Sequence, residues 1–447
     1  INPFSFPEGI HVLEHIDRIV EIFNVCWPMY AAMPAVLKES IENAYKSAGW
    51  DLDLSINEKV ENLYPTFDDV LRELGKTINS SAYSSDTKGD YIGSLSTRLK
   101  SLTNGINGRV FVSDEMDLKE LFDKSAIIDI SRVGAVETKS LIMGLVVMKL
   151  QEYRMSNADE MNSELKHITV LEEAHNLLKK TSTEQRADSS NMVGKSVEML
   201  TNTIAEIRTY GEGFIIVDQA PNLLDTAVIR NTNTKIVLRL PENTDREIAG
   251  GSIALQDTQL AELSKLPTGV AAVYQNDWQE TVLCQMPVYE VFDYSLTKRK
   301  AKLPAVKRAK EENDILLHYL LQKNTDPEKK VEIVERIIKS NVAAKIRKDL
   351  IINYERRNNL YEWAVADFIN KNYDLSEVFR DTQKENWSDL STLSNIMISN
   401  LQNEFIGFDN KEMMTILYYV CRIEHEIYPK HQLIEKLRVE YLREKVF

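Results

Sequence analysis

The segment His167-Ile168-Thr169-Val170-Leu171-Glu172-Glu173-Ala174-His175-Asn176 constrains this chain more than any other stretch. An apolar run of strand length delivers two adjacent carboxylates to its C-terminal end. In open α/β sheets that end is where ligands bind. The pattern is that of a Walker B segment. The first acid would hold Mg²⁺, usually through water, and the second would orient the water that attacks a γ-phosphate. The plain alternative is a buried strand followed by acids that suit a helix N-terminus.

The residues around this segment alternate between strand and helix patterns. Ala126-Ile127-Ile128-Asp129-Ile130 reads as a buried strand and residues 137–153 as a long helix. Residues 168–171 form the next predicted strand, 196–210 the next helix, 214–218 the strand after it, and 235–239 a further strand beyond a short helix. Such alternation predicts an α/β fold with a mainly parallel, doubly wound sheet. Residues 270–274 and 281–284 read as a hairpin at its edge.

The flanking regions are helical. Residues 10–24 and 34–48 carry apolar residues at helical spacing, the second stretch closed by Gly49-Trp50, whereas residues 79–93 are rich in Ser, Asp and Gly and read as loop. The basic run Lys298-Arg299-Lys300-Ala301-Lys302 to Lys307-Arg308-Ala309-Lys310 reads as a linker or an exposed helix. Beyond it one apolar stripe is marked by Val331, Val334, Ile337 and Ile338 and another runs through residues 413–428. The predicted domains are therefore a helical part over 1–124, an ATPase core over 125–290, a basic linker over 291–312 and a helical region over 313–447. The last is read as a bundle for contacts between proteins or subunits.

Composition narrows the class. A chain of 447 residues, 43% hydrophobic and 27% charged, can bury a sizeable core in two or three domains. Cys26, Cys284 and Cys421 lie far apart with no CxxC pair, which argues against a disulfide framework or zinc knuckle and fits a reducing cytoplasm. The longest apolar run, residues 141–150, is too short to span a bilayer, and no signal-peptide pattern opens the chain. A soluble cytoplasmic protein without a membrane partner is expected. The net charge of −14 disfavours a surface uniformly attractive to nucleic acid, though an acidic ring can keep a basic channel.

Other motifs were weighed against plainer readings. Gln219 ends the strand 214–218; an amide there can donate to a phosphate oxygen and accept from an attacking water. Arg208 precedes that strand, Arg239 ends the next and Arg246 lies beyond it. An arginine offered by a neighbouring subunit would stabilise charge on a transferring phosphoryl group, and each could equally make a structural ion pair. Gly194-Lys195-Ser196 matches the end of a Walker A loop, but Ser189 stands where its first glycine belongs and no strand precedes it. It is rejected as a phosphate cradle, and residues 179–195 are read as a loop able to reach a channel lumen. His11 and His15 are one helical turn apart without the HExxH arrangement and read as surface residues, and no metal site is assigned to the histidines.

Leu171-Glu172-Glu173-Ala174-His175-Asn176-Leu177-Leu178, Ala205-Glu206-Ile207-Arg208-Thr209-Tyr210-Gly211, Val217-Asp218-Gln219-Ala220-Pro221 and Asn233-Thr234-Lys235-Ile236-Val237-Leu238-Arg239-Leu240 resemble, in order, the motifs of HerA/FtsK-type motor ATPases. Ile1-Asn2-Pro3-Phe4 and Ala44-Tyr45 with Gly49-Trp50-Asp51 resemble the HerA branch. The resemblance covers roughly residues 1–290. It implies a RecA-like core in a hexameric ring, with ATP and Mg²⁺ between subunits and double-stranded DNA through the centre. Carried onto this chain, Glu172 is the magnesium-side acid, Glu173 the catalytic one, Gln219 the sensor, Arg208 the first candidate for the finger acting in trans and Arg239 the second. Glu172 stands where many such segments have Asp, a minor departure. No Walker A loop occurs in these residues; in HerA relatives it precedes the segment resembling Ile1-Asn2-Pro3, together with a β-barrel, so the cradle is expected upstream of Ile1.

Three functions compete at this point. The first is an ATP-driven hexameric DNA translocase or helicase working with a nuclease or other effector. The second is an oligomeric scaffold that docks and activates an anti-phage effector, a nuclease or an NAD-consuming, sirtuin-like enzyme. The third is a conjugation or secretion ATPase.

Overall fold

The structure is a computed structural model, which describes residues 1–27, 29–158, 160, 162–180, 192–289, 305–322, 324, 326–373, 375, 390–402 and 404–427. The chain divides into two compact units. One comprises Pro3–Glu39 and Met116–Ser295, the other Ile1–Asn2, Ser40–Glu115 and Leu296–Phe447. Among the described residues there are seven strands: β1 (Trp50–Asp51), β2 (Ile56–Asn57), β3 (His167–Glu172), β4 (Glu212–Val217), β5 (Thr234–Val237), β6 (Val270–Gln275) and β7 (Val282–Gln285).

The first unit is α/β. β3 and β4 pair in parallel, with Thr169 opposite Phe214 and Glu172 opposite Val217. Parallel strands need a long crossover, and the connection between these two contains the Met192–Glu206 helix. Among the described residues parallel pairing is confined to these two strands. The segment predicted as a further strand, residues 235–239, contributes β5, which pairs antiparallel with β6, and β6 pairs antiparallel with β7. Apolar periodicity reports that a segment is extended, not which neighbour it takes or in which direction.

Two other expectations are corrected here. Residues 126–130 form no strand, and Ile127 and Ile128 are 96% and 46% exposed. Strand propensity is realised only where a ladder partner is available, and this segment has none among the described residues. Residues 79–93, expected as loop, instead hold the Ser85–Tyr91 helix, capped by Ser84 accepting from the Thr87 amide, and run on into a π-turn over Ile92–Ser96. Serine, which suggests loop, here caps a helix.

The predicted long helix spans Val136–Ser156 and is the buried axis of this unit, with Leu141, Leu145 and Leu150 all within 1% of full burial. It explains the longest apolar run of the sequence. Lys149, buried within that run, places its Nζ 2.7 Å from Ser5 Oγ and 3.0 Å from the Ser5 carbonyl. A Cβ at Gly144 would lie 2.8 Å from Ile22 Cγ2, so the Val12–Cys26 helix packs at a distance that glycine permits. No helix among the described residues is long and apolar enough to cross a membrane.

His15 is buried rather than a surface residue. Its Nδ1 lies 2.9 Å from both oxygens of Glu152 and its Nε2 3.1 Å from the Pro3 carbonyl, while Arg18 reaches Glu152 at 3.1 Å. His11, by contrast, caps the Val12–Cys26 helix by accepting from the Leu13 amide. Burial pushes the Glu152 carboxyl up, but the His15 and Arg18 contacts outweigh it and hold it below the ordinary range. A depressed carboxyl stabilises the fold above its unfolded value, about 4.3 for glutamate, and loses that contribution as pH falls through the folded value. Glu152→Gln is therefore expected to cost about 3–5 kcal/mol at neutral pH, the range for removing one partner of a buried pair. Urea unfolding of both proteins from pH 7 to pH 3 checks this: the wild-type advantage should narrow below about pH 4. An advantage independent of pH would contradict it.

Among the described residues, the regular structure of the second unit is helical apart from β1 and β2. Asp69 organises it by capping two helices at once. Within a capping box its Oδ2 accepts from the Thr66 amide at 2.9 Å, and the same carboxylate accepts from the amides of Ala344 and Lys345 at 2.8 and 3.3 Å. The free amides of two helix starts, far apart in sequence, thus share one acid. The Ala305–Leu321, Pro327–Lys339, Ala344–Asn353, Asn359–Asn372, Leu390–Leu401 and Asn410–Ile427 helices enclose a core that includes Leu320, Ile337, Leu350, Phe368 and Leu417. The stripe of the Pro327–Lys339 helix is centred on Ile333 and Ile337, whereas Val331 is 61% exposed. Of the basic run, residues 298–304 lie outside the described residues, and the remainder is helical from Ala305.

Candidate active site

The site is built where β3 and β4 end side by side. Glu172 is the last residue of β3; it is exposed and makes no ion pair among the described residues. Glu173 follows in the left-handed region, with φ +50° and ψ +48°. That conformation costs a non-glycine residue on the order of 1–3 kcal/mol and is characteristic of functional turns. Asn176 stabilises the turn, donating to the Glu173 carbonyl from both its amide and its Nδ2 at 3.0 Å.

The end of β4 holds the Glu173 side chain. Gln219 Nε2 donates to Glu173 Oε1 at 2.8 Å. The neighbouring Asp218, whose side chain is 3% exposed, accepts three hydrogen bonds: from the His175 amide at 2.8 Å, from His175 Nδ1 at 2.9 Å and from the Ala220 amide at 2.9 Å. His175 Nδ1 also lies 3.6 Å from Glu173 Oε2. One carboxylate, Glu173, is thus flanked by an amide and an imidazole, while a second, Asp218, is saturated with donors. Glu172, Glu173 and Gln219 are brought together. The sequence reading gave Asp218 and His175 no role, and the signals available were their places next to Gln219 and two residues after Glu173.

The arginines lie elsewhere. Arg208 sits in the Ile207–Tyr210 turn before β4, exposed and without an ion pair among the described residues. At about 3.3 Å per residue the six-residue strand separates it from Glu173 by roughly 20 Å. Gly211 fixes this turn: φ is +85° and a Cβ would stand 2.4 Å from the Glu164 carbonyl. Arg239 lies two residues past β5, also exposed. Arg246 is engaged structurally, donating to Asn243 Oδ1 at 2.9 Å and to the Pro241 carbonyl.

The opposite end of the strand pair is tied down by a buried network. Glu212 accepts from Arg154 Nε at 2.9 Å and Thr169 Oγ1 at 2.7 Å, with His167 Nδ1 at 2.8 Å. Arg154 NH1 also reaches Asp123 at 2.7 Å, and Tyr153 donates to the same carboxylate at 2.7 Å. Burial, together with the Asp123 bond, pushes the Tyr153 hydroxyl up to about 12, so it remains a donor. This network anchors β3 and β4 to the Val136–Ser156 helix and leaves their carboxyl ends to chemistry.

The Gly194-Lys195-Ser196 tripeptide lies inside the Met192–Glu206 helix, where its amides are not arranged as a phosphate cradle. Of the loop predicted over 179–195, residues 181–191 lie outside the described residues.

No family model matches the chain. Two curated proteins are similar in sequence. A probable helicase of Methanocaldococcus jannaschii is 24% identical over 317 residues, covering 65% of this chain and 56% of the relative. The DNA double-strand break repair helicase HerA of Sulfolobus acidocaldarius is 29% identical over 159 residues, covering 33% of this chain and 30% of the relative. The chain thus spans little more than half of the first and under a third of the second. Among solved structures, VirB4 of Thermoanaerobacter pseudethanolicus has a TM-score of 0.46 at 18% identity, covering 65% of this chain and 74% of that one. The genome packaging NTPase B204 of Sulfolobus turreted icosahedral virus 2 has a TM-score of 0.27 at 13% identity, covering 46% and 94%. The sequence relationships, with relatives named as helicases, support a HerA/FtsK-type P-loop ATPase, the class whose motifs several segments of the chain resemble.

Proposed function

We propose that this chain is the ATP-hydrolysing part of a HerA-type DNA translocase or helicase with a RecA-like, doubly wound core. It works as a homo-oligomeric ring, a hexamer, around double-stranded DNA and together with a nuclease or other effector. The observation that carries the reading is the pair Glu172-Glu173 at the carboxyl end of a parallel strand, with Gln219 of the adjacent strand 2.8 Å from Glu173.

The donor chemistry of these residues fits Mg²⁺ and ATP. Glu172 offers an exposed carboxylate with no competing ion pair among the described residues, and hard oxygen ligands suit Mg²⁺ through water. When bound, Mg²⁺ supplies charge neutralisation on the β- and γ-phosphate oxygens. Glu173 orients the attacking water and draws its proton. Gln219, released from Glu173, can turn its amide to the γ-phosphate. Arg208 is too far from Glu173 of its own chain to act there, which suits a finger reaching the site of a neighbouring subunit; Arg239 is the second candidate.

The test is ATP hydrolysis by the intact protein with and without duplex DNA. Hydrolysis stimulated at least about tenfold by DNA is the expected result, a lowering of the barrier by about 1.4 kcal/mol. Hydrolysis that is negligible or indifferent to DNA, in an oligomer that still binds an effector, would instead identify the anti-phage scaffold.

A further inference from the structure

The geometry points to Asp218 and His175 as a positioning pair for Glu173, an inference that rests on the ATPase reading above. Asp218 closes the two strand ends with its backbone bonds alone: the amides of His175 and Ala220 each donate to it. The His175 ring is an addition that this closure does not require. Its Nδ1 stands between two carboxylates, 2.9 Å from Asp218 Oδ2 and 3.6 Å from Glu173 Oε2. With Gln219 on Oε1, both oxygens of Glu173 face groups anchored at the end of β4.

The chemistry needs such support. Glu173 itself occupies the left-handed region and its side chain is 48% exposed, so packing alone leaves its torsions free. A carboxylate that orients water loses rate steeply when it swings out of line. The Asp218 side chain is 3% exposed and accepts three hydrogen bonds, hence a fixed post. His175, its ring held by the Nδ1–H bond to Asp218, stands 3.6 Å from Glu173 Oε2, a packing and electrostatic contact rather than a hydrogen bond, and limits where that carboxylate can swing, as second partners orient ligands in metal sites.

The experiment is steady-state ATP hydrolysis by the intact protein, with kcat and KM resolved and the urea midpoint of each variant measured. His175→Ala is expected to lower kcat about 10–100-fold, the range for lost orienting partners, with KM for ATP within about twofold. His175→Asn keeps an N–H donor near the Nδ1 position and recovers most of the loss. His175→Ala combined with Asp218→Asn is no slower than the slower single variant, because the two act as one unit. An unchanged kcat for His175→Ala overturns the pairing, as do equal losses in the Ala and Asn variants or multiplicative losses in the double variant. Glu173→Gln separates the two levels. If it still hydrolyses ATP, the site reading itself fails; if it is inactive while His175→Ala is normal, only the positioning pair falls.

Discussion

Glu173→Gln lowers ATP hydrolysis by about 10²–10⁴-fold, the contribution of a positioned general base, while ATP binding stays within a few-fold. The substitution is nearly isosteric, and an amide oxygen can still accept from Gln219, so the hydrogen bond seen at 2.8 Å is retained. On the proposed reading, what disappears is the negative charge that orients water and draws its proton as the phosphorus–oxygen bond forms. On that reading Glu172 remains to hold Mg²⁺, so binding is expected to survive. Single-turnover hydrolysis measured beside nucleotide affinity separates the two effects. Equal loss of binding and turnover would instead give Glu173 a ground-state role, and retained hydrolysis would remove it from the site.

Arg208→Ala carries the larger expected effect. An arginine that reaches a transferring phosphoryl group is worth about 10³–10⁵ in kcat, and Arg208 has no ion pair among the described residues to account for it structurally. In the proposed ring, its place at the far end of β4 would make the effect a property of the interface between subunits. Mixing inactive Arg208→Ala protein with inactive Glu173→Gln protein should therefore restore hydrolysis, since some interfaces then pair an intact Glu173 with an intact Arg208. Failure of the mixture, in rings shown to contain both subunits, would rule out action in trans. Arg239→Ala in the same assay decides between the two arginines.

Much of the local structure was legible in the sequence because the signals were local. The run ending in Glu172-Glu173 is a strand, the apolar stretch from Leu141 is a buried helix, and the regular structure described within residues 305–427 is all helical. Each follows from periodicity within a few turns or residues. The misreadings concern partners. Ile127 and Ile128 have strand composition and no ladder, while His15 lies on a helix whose buried face depends on Glu152, 137 residues away. Neither is visible in a window of sequence.

The candidate site divides along the same line. The sequence alone named its candidate groups, because two carboxylates after an apolar strand, an amide after the next and arginines in fixed order are features of residue type and spacing. Tertiary structure alone decided how those groups stand: the parallel register that sets Gln219 against Glu173, the left-handed turn at Glu173, and the buried Asp218 that holds His175 beside it. It also placed Arg208 at the start of β4, the end away from the acids, a separation that six strand residues put at roughly 20 Å. The physical reason is that hydrogen-bond geometry and burial are set by neighbours distant in sequence, whereas propensity and spacing are written locally.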